Sequence, residues 1–137
     1  MAVKTEEQIE RDFYTFVKKS KLGQSIKGSV YRDEMRPSDA ETEDIIVKFL
    51  SGLDDQVQTG IVILNIYVPD LPYGTNGRKV KDHSRIAELQ DLLQEWIDTE
   101  EDTEYLLSTD GTPTTILNEE IEQHLIYARI HFNRITA

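Results

Sequence analysis

The stretch from Leu71 to Arg85, LPYGTNGRKVKDHSR, gathers glycines, cations and a histidine within an acidic chain. A Walker-type phosphate loop needs Gly-x-x-x-x-Gly-Lys followed by Ser or Thr, so that backbone amides cradle the phosphate. Here Gly74 and Gly77 are three residues apart, and neither Ser nor Thr follows Lys79. We interpret Tyr73-Gly74 and Asn76-Gly77 as turn dipeptides. The spacing therefore predicts turns, and we expect no nucleotide or other cofactor.

Near the end of the same stretch, Asp82, His83 and Ser84 are the three residue types of a hydrolytic triad. The groups of a triad converge from separate parts of a fold, because each must point at the next in a set orientation. Three neighbouring residues do not normally form such a relay. We interpret them as a loop aspartate, a surface histidine and a helix-capping serine, and we predict no catalytic residue in the chain.

Histidines and clustered acids are the remaining candidates for a metal site. His124 and His131 fall on one predicted strand at an odd spacing, which puts them on opposite faces and roughly 23 Å apart. Counted from Asp98, the sixth and twelfth positions of an EF-hand, which require Gly and Glu, both hold threonine. There is no cysteine to ligate zinc or form a disulfide. We therefore predict a solvated acidic helix end and no metal.

The charge balance argues against nucleic acid as a partner. The formal net charge is −11, and such a surface repels DNA and RNA unless a strong basic patch offsets it. Near the most basic segment, only Tyr73 could stack on a base. We predict no specific nucleic-acid binding. That basic segment contains Arg78, Lys79, Lys81 and Arg85.

Length and composition indicate one folded domain over residues 1–137. Hydrophobic residues make up 38% and charged residues 30%, an ordinary balance for a globular protein. No apolar run approaches the roughly 20 residues that span a bilayer. The N-terminal segment lacks the apolar core of a signal peptide. We expect a cytoplasmic protein without membrane contacts.

Hydrophobic periodicity supplies the elements that would position these residues. Thr5 and Gln8 form a capping box before an amphipathic helix over 6–20. A second helix is predicted to begin at Ser84, its cap, and to reach Ile97. Strands are predicted at 29–32, 44–50, 59–68 and 125–135, with weak strand segments at 105–107 and 115–117.

These elements predict an α+β fold with the order α-β-β-β-α-β-β, or α-β-β-β-α-β if the weak segments do not pair. Short connections favour a two-layer domain with a mainly antiparallel sheet and both helices on one face. The last strand alternates, with Ile126 and Ile130 on one side and Tyr127 and Arg129 on the other. The second face of the sheet would then be solvated or packed against a partner.

Charge is also distributed unevenly along the chain. Segment 71–85 has four basic residues against one acid, Asp82, whereas segment 98–110 has six acids and no base. Opposite patches suit a head-to-tail contact between copies, which gives a ring if the rotation closes. The alternative is that both patches are merely solvated. The candidate contact residues are Tyr73, Arg78, Lys79, Lys81, Asp98, Glu100, Glu101 and Asp102, with Arg36 from loop 33–44.

The order of several segments resembles a known group of proteins. A first helix precedes IKGSVYRDEMRPSDAETEDIIVKFLSG, which contains Arg36-Pro37, and then come GIVILNIYVPD, RIAELQDLLQEWI and HLIYARIHF. Over essentially the whole chain, this pattern resembles the tail terminators and head–tail joining proteins of tailed phages and prophages. The resemblance rests on order and length, and no invariant motif transfers an individual functional residue.

The resemblance implies a non-enzymatic virion-assembly protein that forms a homo-oligomeric, hexameric ring. Such a ring caps the tail tube or joins the tail to the head, and its loops contact tube or neck proteins. Segments 71–85 and 33–44 would then be docking segments, in the bacterial cytoplasm first and in the virion later. Two alternatives stay open: a small acidic cytoplasmic adaptor that recognises a basic protein, and a hydrolase whose site the sequence does not display.

Overall fold

The computed structural model describes residues 3–55, 57–100, 104–118 and 122–135. It confirms the predicted α+β class: three helices pack on a mixed, mainly antiparallel six-stranded sheet, and a small two-stranded sheet is separate. The elements are α1 (Glu6–Lys19), α2 (Lys21–Ser25), β1 (Val30–Arg32), β2 (Asp44–Leu53), β3 (Val57–Pro69), β4 (Leu71–Tyr73), β5 (Arg78–Val80), α3 (His83–Thr99), β6 (Tyr105–Thr109), β7 (Thr114–Asn118) and β8 (Gln123–Ile135).

The large sheet has the order β1-β2-β3-β8, and both β6 and β7 pair with the outer side of β8. The long strands β2, β3 and β8 are antiparallel, as predicted. Strand β1 is parallel to β2, with Val30 opposite Ile45, so the sheet is mixed and mainly antiparallel, in agreement with the prediction. The reason for the parallel pair is the loop over 33–43, which carries the chain back to the end of the sheet where β1 began.

The two weak strand segments both pair with β8, so three strands follow α3 rather than two. Strand β6 reaches Thr109 opposite Ile130, and β7 resumes at Thr114 opposite Tyr127. Between them Gly111 adopts a positive φ of 85°, which suits the turn. Together β6 and β7 form one interrupted edge strand.

The predicted cap of α1 is confirmed, whereas the predicted cap of α3 was wrong and one short helix was missed. The α1 capping box is present: Gln8 N–H donates to Thr5 Oγ1 over 3.3 Å, and Thr5 N–H donates to Gln8 Oε1 over 2.8 Å. The cap of α3 is Asp82, whose carboxylate accepts from Arg85 N–H over 3.1 Å, so the assignment of Ser84 as the cap was wrong. The five-residue helix α2, capped by Ser20, was missed because it is too short to show periodicity.

Residues 71–80, predicted as a loop, form the β4–β5 hairpin, with Tyr73 opposite Arg78. The predicted turn between its strands is present, since Gly74 and Gly77 both have positive φ. The strands were missed because Pro72 argues against a strand.

The core lies between the sheet and α1 and α3, and aromatic side chains fill one end of it. On β8, Ile126, Ala128, Ile130 and Phe132 are fully buried, which confirms the predicted alternation. Phe13 of α1 packs edge-on against Tyr105, with ring centroids 5.2 Å apart, and Phe132 lies 5.7 Å from Phe13.

Gly60 on β3 leaves room for this aromatic cluster. A Cβ at this position would lie 2.5 Å from the Ser51 carbonyl oxygen and 2.7 Å from the Phe132 ring. We expect Gly60→Ala to destabilise the fold by about 1–3 kcal/mol, because neither the backbone nor the packed ring can easily move. Urea unfolding measures this difference. The exposed Ser51→Ala should stay within about 0.5 kcal/mol of the wild type, and an equal effect of both changes would contradict the explanation.

Candidate functional site

Two consecutive acids at the start of β2, Glu43 and Asp44, are buried. Asp44 accepts hydrogen bonds from Arg36 Nε at 2.9 Å, Thr42 Oγ1 at 2.6 Å and Ser29 N–H at 2.8 Å. Burial raises the pKa of the Asp44 carboxyl, but these donors outweigh it, and the pKa lies below its ordinary value. Asp44 therefore stays ionised inside the protein.

Arg36, a predicted contact residue, is the counter-ion of Asp44. Its side chain is only 6% exposed, and its guanidinium lies 3.9 Å from the centre of the Tyr67 ring. It also donates to the carbonyl oxygens of Ala40 and Thr42 and to Gln123 Oε1. Arg36 thus attaches the loop over 33–43 to the sheet, and little of its surface is left for another molecule.

Glu43 is held by a second arginine, from α3. Arg85 donates through Nε and a terminal nitrogen to the two Glu43 oxygens, over 2.9 and 2.7 Å. The same terminal nitrogen donates to the Ser25 carbonyl over 2.7 Å, and Lys27 N–H donates to Glu43 over 3.1 Å. Such two-point pairing is the strongest geometry between Arg and a carboxylate. It joins α2, α3 and β2.

A cavity of about 560 Å³ lies beside this pair, where the start of α3, the start of β2 and the end of β3 meet. Among its described lining residues, Glu43 and Arg85 bind each other, and Asp82 caps α3. Asp70 contacts His124, with 2.6 Å between Oδ1 and Nδ1. These polar groups are already used within the fold. Asp82 is a helix cap rather than part of a relay with its two neighbours.

The histidines and acids do not converge on a metal site in the part of the chain that the structure describes. His124 and His131 lie opposite Val68 and Ile61 of β3, at an odd spacing along β8, which confirms their opposite faces. Within 3–55, 57–100, 104–118 and 122–135, no group of three or more His, Asp and Glu side chains is positioned to bind a metal ion.

The β4–β5 hairpin, residues 71–80, is here called the hairpin arm, and residues 71–79 are all exposed. Three contacts hold its base: Asp70 N–H to the Glu122 carbonyl at 3.1 Å, Lys79 Nζ to Glu122 at 2.9 Å, and Lys81 Nζ to Thr115 Oγ1 at 2.7 Å. Two of the predicted contact lysines therefore have partners in their own chain. Tyr73 and Arg78 remain at the outer end.

At that outer end, the Arg78 guanidinium lies 5.5 Å from the centre of the Tyr73 ring, within the range of a cation–π contact. The Tyr73 side chain is 60% exposed. The structure thus brings these two predicted contact residues together as an exposed aromatic and cationic pair.

Of the four predicted acidic contact residues, two are described, and both accept hydrogen bonds within α3 or at its end. Asp98 accepts from Gln94 Nε2 over 3.1 Å, and Glu100 accepts from Trp96 Nε1 over 2.7 Å. Glu101 and Asp102 lie outside the described residues. Sequence reasoning missed a longer acidic surface along the solvent side of α3, although a spacing of three or four residues was a readable signal. The acidic stripe consists of Glu88, Asp91, Glu95 and Asp98.

Glu104, another acid of the 98–110 segment, belongs to an internal network. It pairs with Lys4 at 2.8 Å and with Arg134, and Lys4 also pairs with Asp12 at 2.6 Å. The hydrogen bond from Lys4 lowers the pKa of the Glu104 carboxyl, and the hydrogen bond from Arg134 lowers it further. Together they outweigh partial burial, which raises this pKa. Burial and the hydrogen bond to Asp12 raise the pKa of Tyr105. This network attaches the N-terminal segment to β6.

The side of the large sheet away from the helices is here called the open face. Near its centre, Asn65 Oδ1 is buried without a hydrogen-bond partner. Leu53, Leu106 and Ile116 are exposed on this side, by 73%, 68% and 47%. The mixed character predicted for the second face is present. Its central side chains are Ile46, Ile61, Ile63, Tyr127, Arg129 and His131.

Comparison with known proteins adds no family to this geometry. No family model matches the chain, and no curated protein matches its sequence significantly. Within the described ranges, no helix is long and apolar enough to cross a membrane. The surfaces of the fold therefore carry the functional inference: the open face, the hairpin arm and the acidic stripe.

The Asp44–Arg36 pair generates a prediction for pH-dependent stability. Asp44→Asn should destabilise the fold by about 3–5 kcal/mol at pH 7, because it leaves a buried arginine without its counter-ion. The lowered pKa in the folded state means that Asp44 stabilises the wild type above its ordinary pKa of about 3.9. This contribution is lost as the pH falls through the folded-state pKa.

Urea unfolding from pH 7 to pH 2 measures both effects. The difference between the wild type and Asp44→Asn should shrink towards low pH. Asp91→Asn, at an exposed position on α3, is the matched control and should change stability little. Equal stability of Asp44→Asn and the wild type at pH 7 would contradict the assigned role of this pair.

Proposed function

We propose that this chain is a non-enzymatic assembly subunit of a tailed phage or prophage, forming a ring that caps the tail tube or joins the tail to the head. The observation that carries the proposal is the open face. The described helices all pack on one side of a six-stranded sheet, and the other side presents apolar and aromatic side chains. The resemblance in segment order supplies the class of assembly.

The open face has the properties of a surface that a partner covers. Leu53 and Leu106 are more than two thirds exposed and lie in one row across the sheet, with Thr59 and Asn133 between them. Exposed large apolar side chains on one face of a soluble protein often mark an interaction site. The unpaired Asn65 Oδ1 supports this reading, because a buried carbonyl without a donor is destabilising unless a donor reaches it.

The hairpin arm and the acidic stripe support a head-to-tail arrangement. The arm has Arg78 and Lys79 and no acid, whereas the solvent side of α3 is acidic along its length. Different surfaces on one molecule that attract each other produce a heterologous contact, and repetition of that contact closes a ring when the rotation allows.

A catalytic role receives less support than an assembly role. A hydrolase needs polar groups that converge in a pocket and are free to bind substrate or move protons. In the cavity beside the Glu43–Arg85 pair, Glu43, Arg85, Asp70 and Asp82 are engaged in contacts that hold the fold.

An adaptor for a basic protein is the second candidate, and the acidic stripe on α3 is the observation that favours it. Among the described residues, ion pairs join the stripe to two cations: Lys21 lies 3.8 Å from Glu95, and Arg85 lies 3.5 Å from Glu88. An adaptor of this kind would stay monomeric and bind its basic partner in a salt-dependent manner.

Native mass spectrometry over a concentration series, combined with proteomics of purified tails from induced cells, tests the proposal. We expect a salt-sensitive ring-sized oligomer, formed alone or on added tail tubes, and the protein's presence in tails. Absence from tails, together with a monomer that binds a basic protein, would support the adaptor and overturn the proposed assembly function.

Reversal of one charge on the arm tests the head-to-tail contact. Arg78→Glu should raise the concentration needed for assembly about tenfold, equivalent to ~1.4 kcal/mol, because it places an acid against an acidic neighbour. Lys19→Glu, at an exposed position of α1, makes the same charge change away from the arm and is the control. Equal shifts for both variants in native mass spectrometry would show that only the net charge matters.

A further inference from the structure

The outer side of β7 has the properties of a strand that accepts another strand. β7 pairs with β8 on one side, and no other described strand pairs with it. Its sequence, TTILN, is uncharged and rich in β-branched residues. Ile116 and Leu117 point to opposite faces and are 47% and 49% exposed. An edge of this kind presents unpaired backbone amide and carbonyl groups.

The opposite edge of the sheet is protected. β1 has three residues, and its Arg32 is held by Glu7 at 2.7 Å and Glu10 at 3.0 Å. Asp33 and Glu34 follow directly. Short length and charge are devices by which proteins block pairing at an edge. The two edges therefore differ, and the β7 edge is the one suited to accept a strand.

The hairpin arm supplies a strand that lacks a partner. A two-stranded hairpin is at best marginally stable by itself, and β4 and β5 pair with no other described strand. Pro72 has no N–H and so suits a terminal strand, which makes β4 the blocked side of the arm. β5 has no proline to block its outer side.

We propose that β5 of one copy's arm pairs with the β7 edge of a second copy and joins the two sheets. This inference rests on the proposed ring assembly and places the arm on the β7 edge of the neighbouring copy rather than on its acidic stripe. Charge does not oppose the match, because β7 carries no base that would repel Arg78 and Lys79 of the arm. Each copy then has one donor strand and one acceptor edge, as a heterologous contact requires.

The contact is short, and its size determines when it forms. β5 has three residues and β7 has five, so the paired backbone is smaller than a standard stable interface. One such contact is weak alone, and closure of the ring adds avidity from the other contacts. The open face remains available to tube or neck proteins.

The absence of cysteine allows a direct cross-linking test. Lys79→Cys places a thiol on β5, and Ile116→Cys places one on β7. We expect a mixture of these two single-cysteine proteins under mild oxidation to give several-fold more mixed disulfide dimer than Lys79→Cys mixed with Leu53→Cys. Leu53 is a matched control because it is exposed but lies away from the β7 edge. Equal yields, or a predominance of Ile116→Cys homodimers, would overturn the proposal.

A charge introduced at the β7 edge tests this contact separately from the proposed function. Ile116→Lys should keep the wild-type unfolding temperature, because the side chain is exposed, and should abolish oligomers in native mass spectrometry. Leu53→Lys should leave the oligomers in place. If rings are found on tails but the Lys79→Cys and Ile116→Cys proteins form no mixed disulfide, the edge contact is overturned and the proposed ring function stands. Specific disulfides in a protein that is absent from tails would support the contact and contradict the virion role.

Discussion

Two buried ion pairs at the start of β2 hold the layers of this fold together. Glu43 binds Arg85 of α3, and Asp44 binds Arg36 of the preceding loop, so consecutive acids connect a helix and a loop to the same strand. Each carboxylate also accepts from backbone amides near β1. Removing one partner of a buried pair leaves an uncompensated charge, which is why these contacts constrain the surrounding structure.

These pairs also determine which surfaces are left over. Arg36 and Arg85 bind acids inside the fold. The cationic surface suited to an intermolecular contact is therefore the hairpin arm. Because all described helices lie on one side of the sheet, the open face keeps its apolar side chains exposed. The β7 edge is a third surface, because β7 pairs with β8 on one side and no other described strand pairs with it. A chain with an arm, an open face and such an edge is suited to assembly.

Sequence reasoning succeeded where the signal was local. The α1 capping box depends on residues three positions apart, and the alternation in β8 follows from the two-residue period of a strand. The parallel β1–β2 pair was not predicted, because it depends on the path of the loop over 33–43. Two local features were also missed. The α3 cap was assigned to Ser84 instead of Asp82, two residues away, and the arm was predicted as a loop because Pro72 argues against a strand.

By itself, the sequence determined the α+β class, the main elements and the acidic, cysteine-free character of the chain, because periodicity, caps and charge are properties of neighbouring residues. It also located the basic segment that contains Tyr73 and Arg78. Only the tertiary structure decided that Arg36, Lys79 and Arg85 are paired internally and that no described strand other than β8 pairs with β7. The partners of these residues are distant in sequence, and folding is what brings such groups within hydrogen-bonding distance and removes others from solvent.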